Sequence, residues 1–141
     1  MNSFDLSRFH KAQDYFYGAA LREIRRGHKQ THWMWFVFPQ LRGLGHSYNA
    51  TYYGIENLNE AKAYLADPIL GARLREISTA LTALEGDNPV RVMGPIDAVK
   101  LRSSMTLFLT ASDGEAVFRE VLDKYFAGEL DPATLELLGM L

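Results

Sequence analysis

Apolar side chains recur at Leu6, Phe9, Ala12, Phe16, Ala19, Ala20 and Ile24. Those intervals of three and four predict an amphipathic helix over residues 5–26. Ser3 or Asp5 is placed to cap its start, and Gly27 follows its last turn as the expected C′ residue. Arg22, Arg25 and Arg26 suit the negative end of the helix dipole. From Trp33 to Phe38 the period vanishes: Trp33, Met34, Trp35, Phe36, Val37 and Phe38 are all large and apolar. A segment with no polar side is expected to be buried on all sides. It is far shorter than the ~20 residues needed to span a bilayer, so it reads as a short central helix in a globular core, with Trp35 and Phe36 both inside it. Pro39 stops that helix, and Gly43 and Gly45 loosen the chain after it. Tyr48, Tyr52, Tyr53 and Ile55 read as a helical turn or loop, because no second strand candidate exists to pair with them.

Beyond this point helix signals follow one another. Asn57 or Asn59 is placed to cap a helix containing Ala61, Tyr64 and Leu65. Asp67-Pro68 then opens a helix carrying Ile69, Leu70, Leu74, Ile77, Leu81 and Leu84 to Gly86. Asp87-Asn88-Pro89 reads as a loop, and Val90 to Met93 as one turn. Pro95 opens a helix holding Val99, Leu101, Met105, Leu107, Phe108 and Leu109. Ser112 or Asp113 caps the next, with Val117, Phe118, Val121, Leu122, Tyr125 and Phe126, closed by Gly128. Asp131-Pro132 starts a last short helix through Leu138. The pattern predicts an all-α architecture of six or seven helices around the aromatic segment.

At 141 residues the size prior gives one domain, residues 1–141. Hydrophobic residues make 48% and charged residues 23% of the chain, ordinary values for a globular protein. The chain has no cysteine, which excludes disulfides, thiolate nucleophiles and zinc ribbons. The first residues lack a basic stretch followed by an apolar run, so no signal peptide is expected. With the missing cysteines this points to the cytoplasm, and no membrane association is expected. The net charge is −2. The positive cluster of Arg22, Arg25, Arg26, His28 and Lys29 is explained by the helix end, so nucleic acid is an unlikely partner.

Two places combine polar groups with apolar walls. His32, Trp33, Trp35 and Gln40 surround the central segment, where a histidine beside aromatic faces suits proton transfer or a stacked base. The plainer reading makes His32 a partner for a backbone carbonyl at a helix start. Lys100, Ser103 and Ser104 share a helix face. A lysine among hydroxyls suits a phosphate or ribose, or activates a serine nucleophile. The plainer reading has the serines bonding back to helix carbonyls. Glu23 and Asp97 are the carboxylates that would complete a catalytic arrangement with His32 or Lys100. No glycine-rich phosphate loop, HExxH or GxSxG pattern is present. His10, His28, His32 and His46 lack metal-ligand spacing, so neither a metal nor another cofactor is expected.

The stretches HWMWFVFPQLRGLG, AYLADPILGARLRE, KLRSSMTLF and VLDKYFAGELDPATL resemble the bacterial domain-of-unknown-function family 1810, some of whose members carry the label calpastatin. The resemblance runs from about Phe9 to Leu138. It implies an all-α, multihelical fold with a short buried central helix, and it brings no established activity or catalytic residue. The Ala12-Gln13 pair and a late helix containing Lys or Arg bear a fainter likeness to the NADAR group of N-glycosidases. That likeness implies action on ADP-ribose-type substrates. The expected function is therefore a small-molecule site for a phosphate- or ribose-bearing ligand. An N-glycosidase or hydrolase of ADP-ribose-type substrates, and a protein-interaction domain, stand as alternatives.

Overall fold

The first amphipathic period becomes helix α1, Ser7–Arg25, in the computed structural model, which describes residues 4–141. Asp5 Oδ1 accepts the Ser7 N–H at 2.9 Å just outside the helix, while Ser3 lies outside the described residues. At the other end His28 N–H reaches the Glu23 carbonyl and Gly27 N–H the Ile24 carbonyl, the paired bonds that close a helix on a C′ glycine. The inward face of α1 buries Phe9, Tyr17, Ala20 and Ile24, and with them two polar residues, Gln13 and Glu23.

The central segment is one helical turn, α2, Met34–Val37. Trp33, Met34, Phe36, Val37 and Phe38 are all buried. Trp35 is the exception, only half-buried and packed at the edge of the core. One turn sends its side chains out about 100° apart, so a single turn lying against the core presents one of its residues outward. The expectation that Trp35 lies inside the core is corrected accordingly.

Residues 41–56 resolve into a short helix and one backbone bridge. α3, Tyr48–Tyr52, is capped by Ser47, whose Oγ accepts the Ala50 N–H. Leu41 and Ile55 form an isolated parallel bridge, with Ile55 N–H on the Gln40 carbonyl at 2.9 Å and Arg42 N–H on the Ile55 carbonyl at 2.8 Å. Gly54 makes this approach feasible, since a Cβ there would stand 2.7 Å from Arg42 Cβ and 2.8 Å from the Ala50 oxygen.

The remaining helices are α4, Leu58–Ala66; α5, Leu70–Thr82; α6, Pro89–Met93; α7, Pro95–Ala111; α8, Ala116–Phe126; and α9, Pro132–Leu137. Their starts follow the side-chain chemistry. Asn57 caps α4, Asp67 Oδ1 accepts the Ile69 and Leu70 N–H groups before α5, and Asp131 caps α9. Asn88 caps α6 and puts Pro89 in its first turn, where a loop was expected. Ser112 Oγ accepts the Glu115 N–H just before α8. The described residues contain nine helices, rather than six or seven, and no strand. The surplus consists of single-turn pieces such as α3 and α6. α7 packs against α4, α6, α8 and α9, and its apolar residues point to every side, which makes it the hub of the helix array.

Truncation separates the two kinds of position in the central segment. Phe36→Ala should lower stability by roughly 3–5 kcal/mol, whereas Trp35→Ala should cost roughly 1–2 kcal/mol. Urea unfolding of both variants measures the difference, and equal losses would mean that Trp35 is a core residue after all.

Candidate functional site

Between α1 and α2 the chain is held by one buried carboxylate. Glu23 Oε1 accepts the N–H groups of Gln30 at 2.7 Å and Thr31 at 2.9 Å, and the Trp33 indole N–H at 3.0 Å. Its Oε2 accepts the Thr31 hydroxyl at 2.6 Å. Burial pushes this carboxyl upward, but the Thr31 hydroxyl, the two backbone donors and the indole outweigh it and bring its pKa down to about 2. The knot fixes Trp33 inward, leaving His32 exposed and turning Trp35 toward an open cleft.

The opposite wall is the joint between α6 and α7. Lys29 N–H binds the Val92 carbonyl at 2.7 Å and ties the knot to that joint. Gly94 closes α6 and opens α7 with φ +85°, a left-handed conformation that glycine adopts without a Cβ penalty. The cleft between these walls has a volume of about 350 Å³ and is lined by Lys29, His32, Trp35, Ile96, Asp97 and Lys100, among others.

Its electrostatics centre on Asp97. One carboxylate oxygen lies 2.9 Å from Lys29 Nζ and the other 3.7 Å from Lys100 Nζ. Each ammonium also sits over an indole, Lys29 at 4.8 Å from the Trp33 ring centre and Lys100 at 4.9 Å from that of Trp35. Such cation–π contacts hold the ammonium groups in place. Two cations face one anion, so the cluster keeps a formal charge of +1 before His32 is counted.

The sequence-predicted site residues divide three ways. His32, Trp35 and Lys100 meet on this cleft. Gln40 and Ser103 line an adjoining groove that shares Pro95, Ile96 and Lys100 with it. Trp33 and Ser104 are fully buried and line neither, so the wall expected from Trp33 is supplied by Trp35. Ser103 donates to Asp131 Oδ2 at 2.9 Å, with the Val99 carbonyl at 3.2 Å. Its proton is engaged there while Lys100 pairs with Asp97, which removes the serine–lysine nucleophile. Glu23 faces the knot, not the cleft. Lys29 was missed as a site residue because its charge reads as part of the helix end. Its place two residues beyond Gly27 was the signal that it had left α1.

The class defined by this arrangement is an all-α protein with a cationic, aromatic-edged cleft at a helix joint. The chain belongs to the family described as "Protein of unknown function (DUF1810)", whose model matches residues 3–138. Its fold is similar to the crystal structure of the conserved hypothetical protein Rv1873 from Mycobacterium tuberculosis, with 46% identity and a TM-score of 0.95. That match covers 99% of this chain and 100% of the other. No curated protein matches it. Among the described residues no helix is long and apolar enough to cross a membrane.

The knot has a pH signature. The folded Glu23 carboxyl binds its proton less tightly than an ordinary one, at about 2 against 4.5. The unfolded chain therefore holds the extra proton between those values, and stability falls as pH drops through that window. Unfolding at pH 5 and pH 2 should differ by roughly 3 kcal/mol on this account. Glu23→Gln should be less stable at neutral pH and lack that portion of the acid loss. An acid profile unchanged by the substitution would show that the carboxylate does not hold the knot.

Proposed function

We propose that the cleft binds a small phosphate- or ribose-bearing ligand and holds it without turnover. The observation that carries this reading is the convergence of Lys29 and Lys100 beside the half-buried Trp35 ring on an open cleft with apolar walls. Pockets that bind small molecules combine apolar walls with a few convergent polar groups. A lysine ammonium meets a phosphate as a point charge, and the indole edge offers a face for a sugar or base.

The N-glycosidase reading draws support from His32, which is exposed at the cleft and suited by type to proton transfer. Asp97 weighs against it. A carboxylate that stabilises a glycosyl cation or activates water needs its charge directed at the substrate, and this one is engaged by two ammonium groups. Binding without chemistry is the better account.

Titration with ADP-ribose and NAD, followed by tryptophan fluorescence, tests the proposal. Trp33 is sealed in the core, so the signal should come from Trp35 and disappear in Trp35→Phe. Lys100→Ala should weaken binding tenfold or more by removing a charge-assisted contact. Free nicotinamide appearing from NAD would establish the enzyme instead. No change with either compound, nor with simple phosphate monoesters, at millimolar concentration would defeat the reading.

A further inference from the structure

The stretch PIDAVKLRSSMTLFLTA, which forms α7, carries apolar residues on all its faces. A helix of that kind belongs in an interior, and most of α7 is there. Its first turns are the exception: Ile96 is 71% exposed and Val99 65%. They form a wall of the groove that adjoins the cationic cleft, with Leu44 and Ala133 among the other lining residues and a volume of about 510 Å³. Cleft and groove share Pro95, Ile96 and Lys100, so they are two arms of one trough meeting at the Lys100 side chain.

We infer that the ligand is an anionic amphiphile, with a phosphoryl head at Lys100 and an aliphatic chain lying along Ile96 and Val99. The inference rests on the head-group reading above and specifies what is attached to that head. The two arms differ in chemistry. The cleft has the Trp35 face, whereas the lining of the groove contains no aromatic ring. A base or sugar therefore has its stacking surface in the cleft, whereas the apolar part of the groove lining is aliphatic, which suits a hydrocarbon chain.

Charge gives the direction. Lys100 stands at the junction, and Ser103, about one helical turn further along α7, holds Asp131 on the same groove at 2.9 Å. The groove thus runs from a cation toward a carboxylate. An anionic end is attracted to Lys100 and repelled by Asp131, which sets the head at the junction and leaves the uncharged chain for the rest of the groove. Gln40, on the same lining, adds a side-chain amide able to donate to a phosphoryl oxygen.

Ethyl, butyl, hexyl and octyl phosphate, titrated calorimetrically into the full chain, test this. Affinity should rise about fourfold for each methylene that the groove covers, the factor expected from burying a CH₂. Val99→Ser, which removes apolar contact without adding charge, should lower the ratio of octyl to ethyl phosphate affinity and flatten the rise with chain length. Ala133→Gln, on another part of the groove, should lower the same ratio. Lys100→Ala should weaken every member of the series by a similar factor. Equal affinity for all four phosphates overturns the aliphatic chain and leaves the head-group reading in place. Failure of all four, together with ADP-ribose and NAD, removes both. Self-association of the wild-type chain in sedimentation that Val99→Asp abolishes would assign the apolar wall to a second copy and overturn the inference.

Discussion

Everything that makes the central segment central depends on a buried carboxylate that has no ion-pair partner among the described residues. Glu23 is satisfied by four donors from residues 30, 31 and 33. A buried charge without such compensation is costly enough that the group would take up a proton instead. Here the loop between α1 and α2 supplies a cage of N–H and O–H groups, and the charge in return orders the loop. The indole N–H of Trp33 is one of the four, so the largest fully buried side chain of the molecule has its polar atom satisfied by the same carboxylate. α1 grips the segment a second time through Gln13, whose amide donates to the Phe36 carbonyl at 2.7 Å and to the Tyr64 hydroxyl at 2.8 Å. A one-turn helix cannot stabilise itself; two polar clamps on a long neighbouring helix and apolar contact on its remaining sides hold it.

The cleft follows from that geometry. With Trp33 drawn inward by Glu23, the helical turn that follows sends Met34, Phe36 and Val37 into the core and Trp35 to the edge. The same knot positions Lys29, whose backbone bonds α6 and whose side chain, only 5% exposed, reaches Asp97 at the start of α7. The cleft is therefore assembled from residues far apart in sequence by the one interaction that orders the loop.

Local chemistry was legible in the sequence, and long-range chemistry was not. The caps at Asn57 and Asp131, the Asp67 turn ahead of α5 and the C′ role of Gly27 depend on neighbours within a few residues, so side-chain type and spacing were enough. The all-α class followed from the same signals. The short pieces α3 and α6 were blurred because a single turn has too few positions to show a period. Trp35 was misplaced for a related reason: six apolar residues in a row state that burial is high, but not which residue one helical turn must leave at the surface. Gln13 and Glu23 interrupt the apolar face of α1, a signal readable in the sequence as buried polar positions. What they bind could be known only once α2 was folded against them. The meeting of His32 with Lys100 likewise depends on α6 and α7 folding back at Gly94, a long-range arrangement that no local pattern encodes.

Asp97 has a role that its sequence position conceals. Two ammonium groups brought to one cleft repel each other, and each would prefer to remain in water. A carboxylate between them offsets the repulsion, and the indole faces of Trp33 and Trp35 restrain the two side chains from the other side. The pair is thus held converged, so an anion bound there, as proposed, would not bear the entropy of gathering two flexible lysines. One carboxylate against two cations also leaves the cluster positive, so its attraction for an anion survives the neutralisation. Asp97 occupies the first turn of α7, where a negative charge is favoured by the helix dipole. The helix start thereby helps to keep the carboxylate between the two lysines.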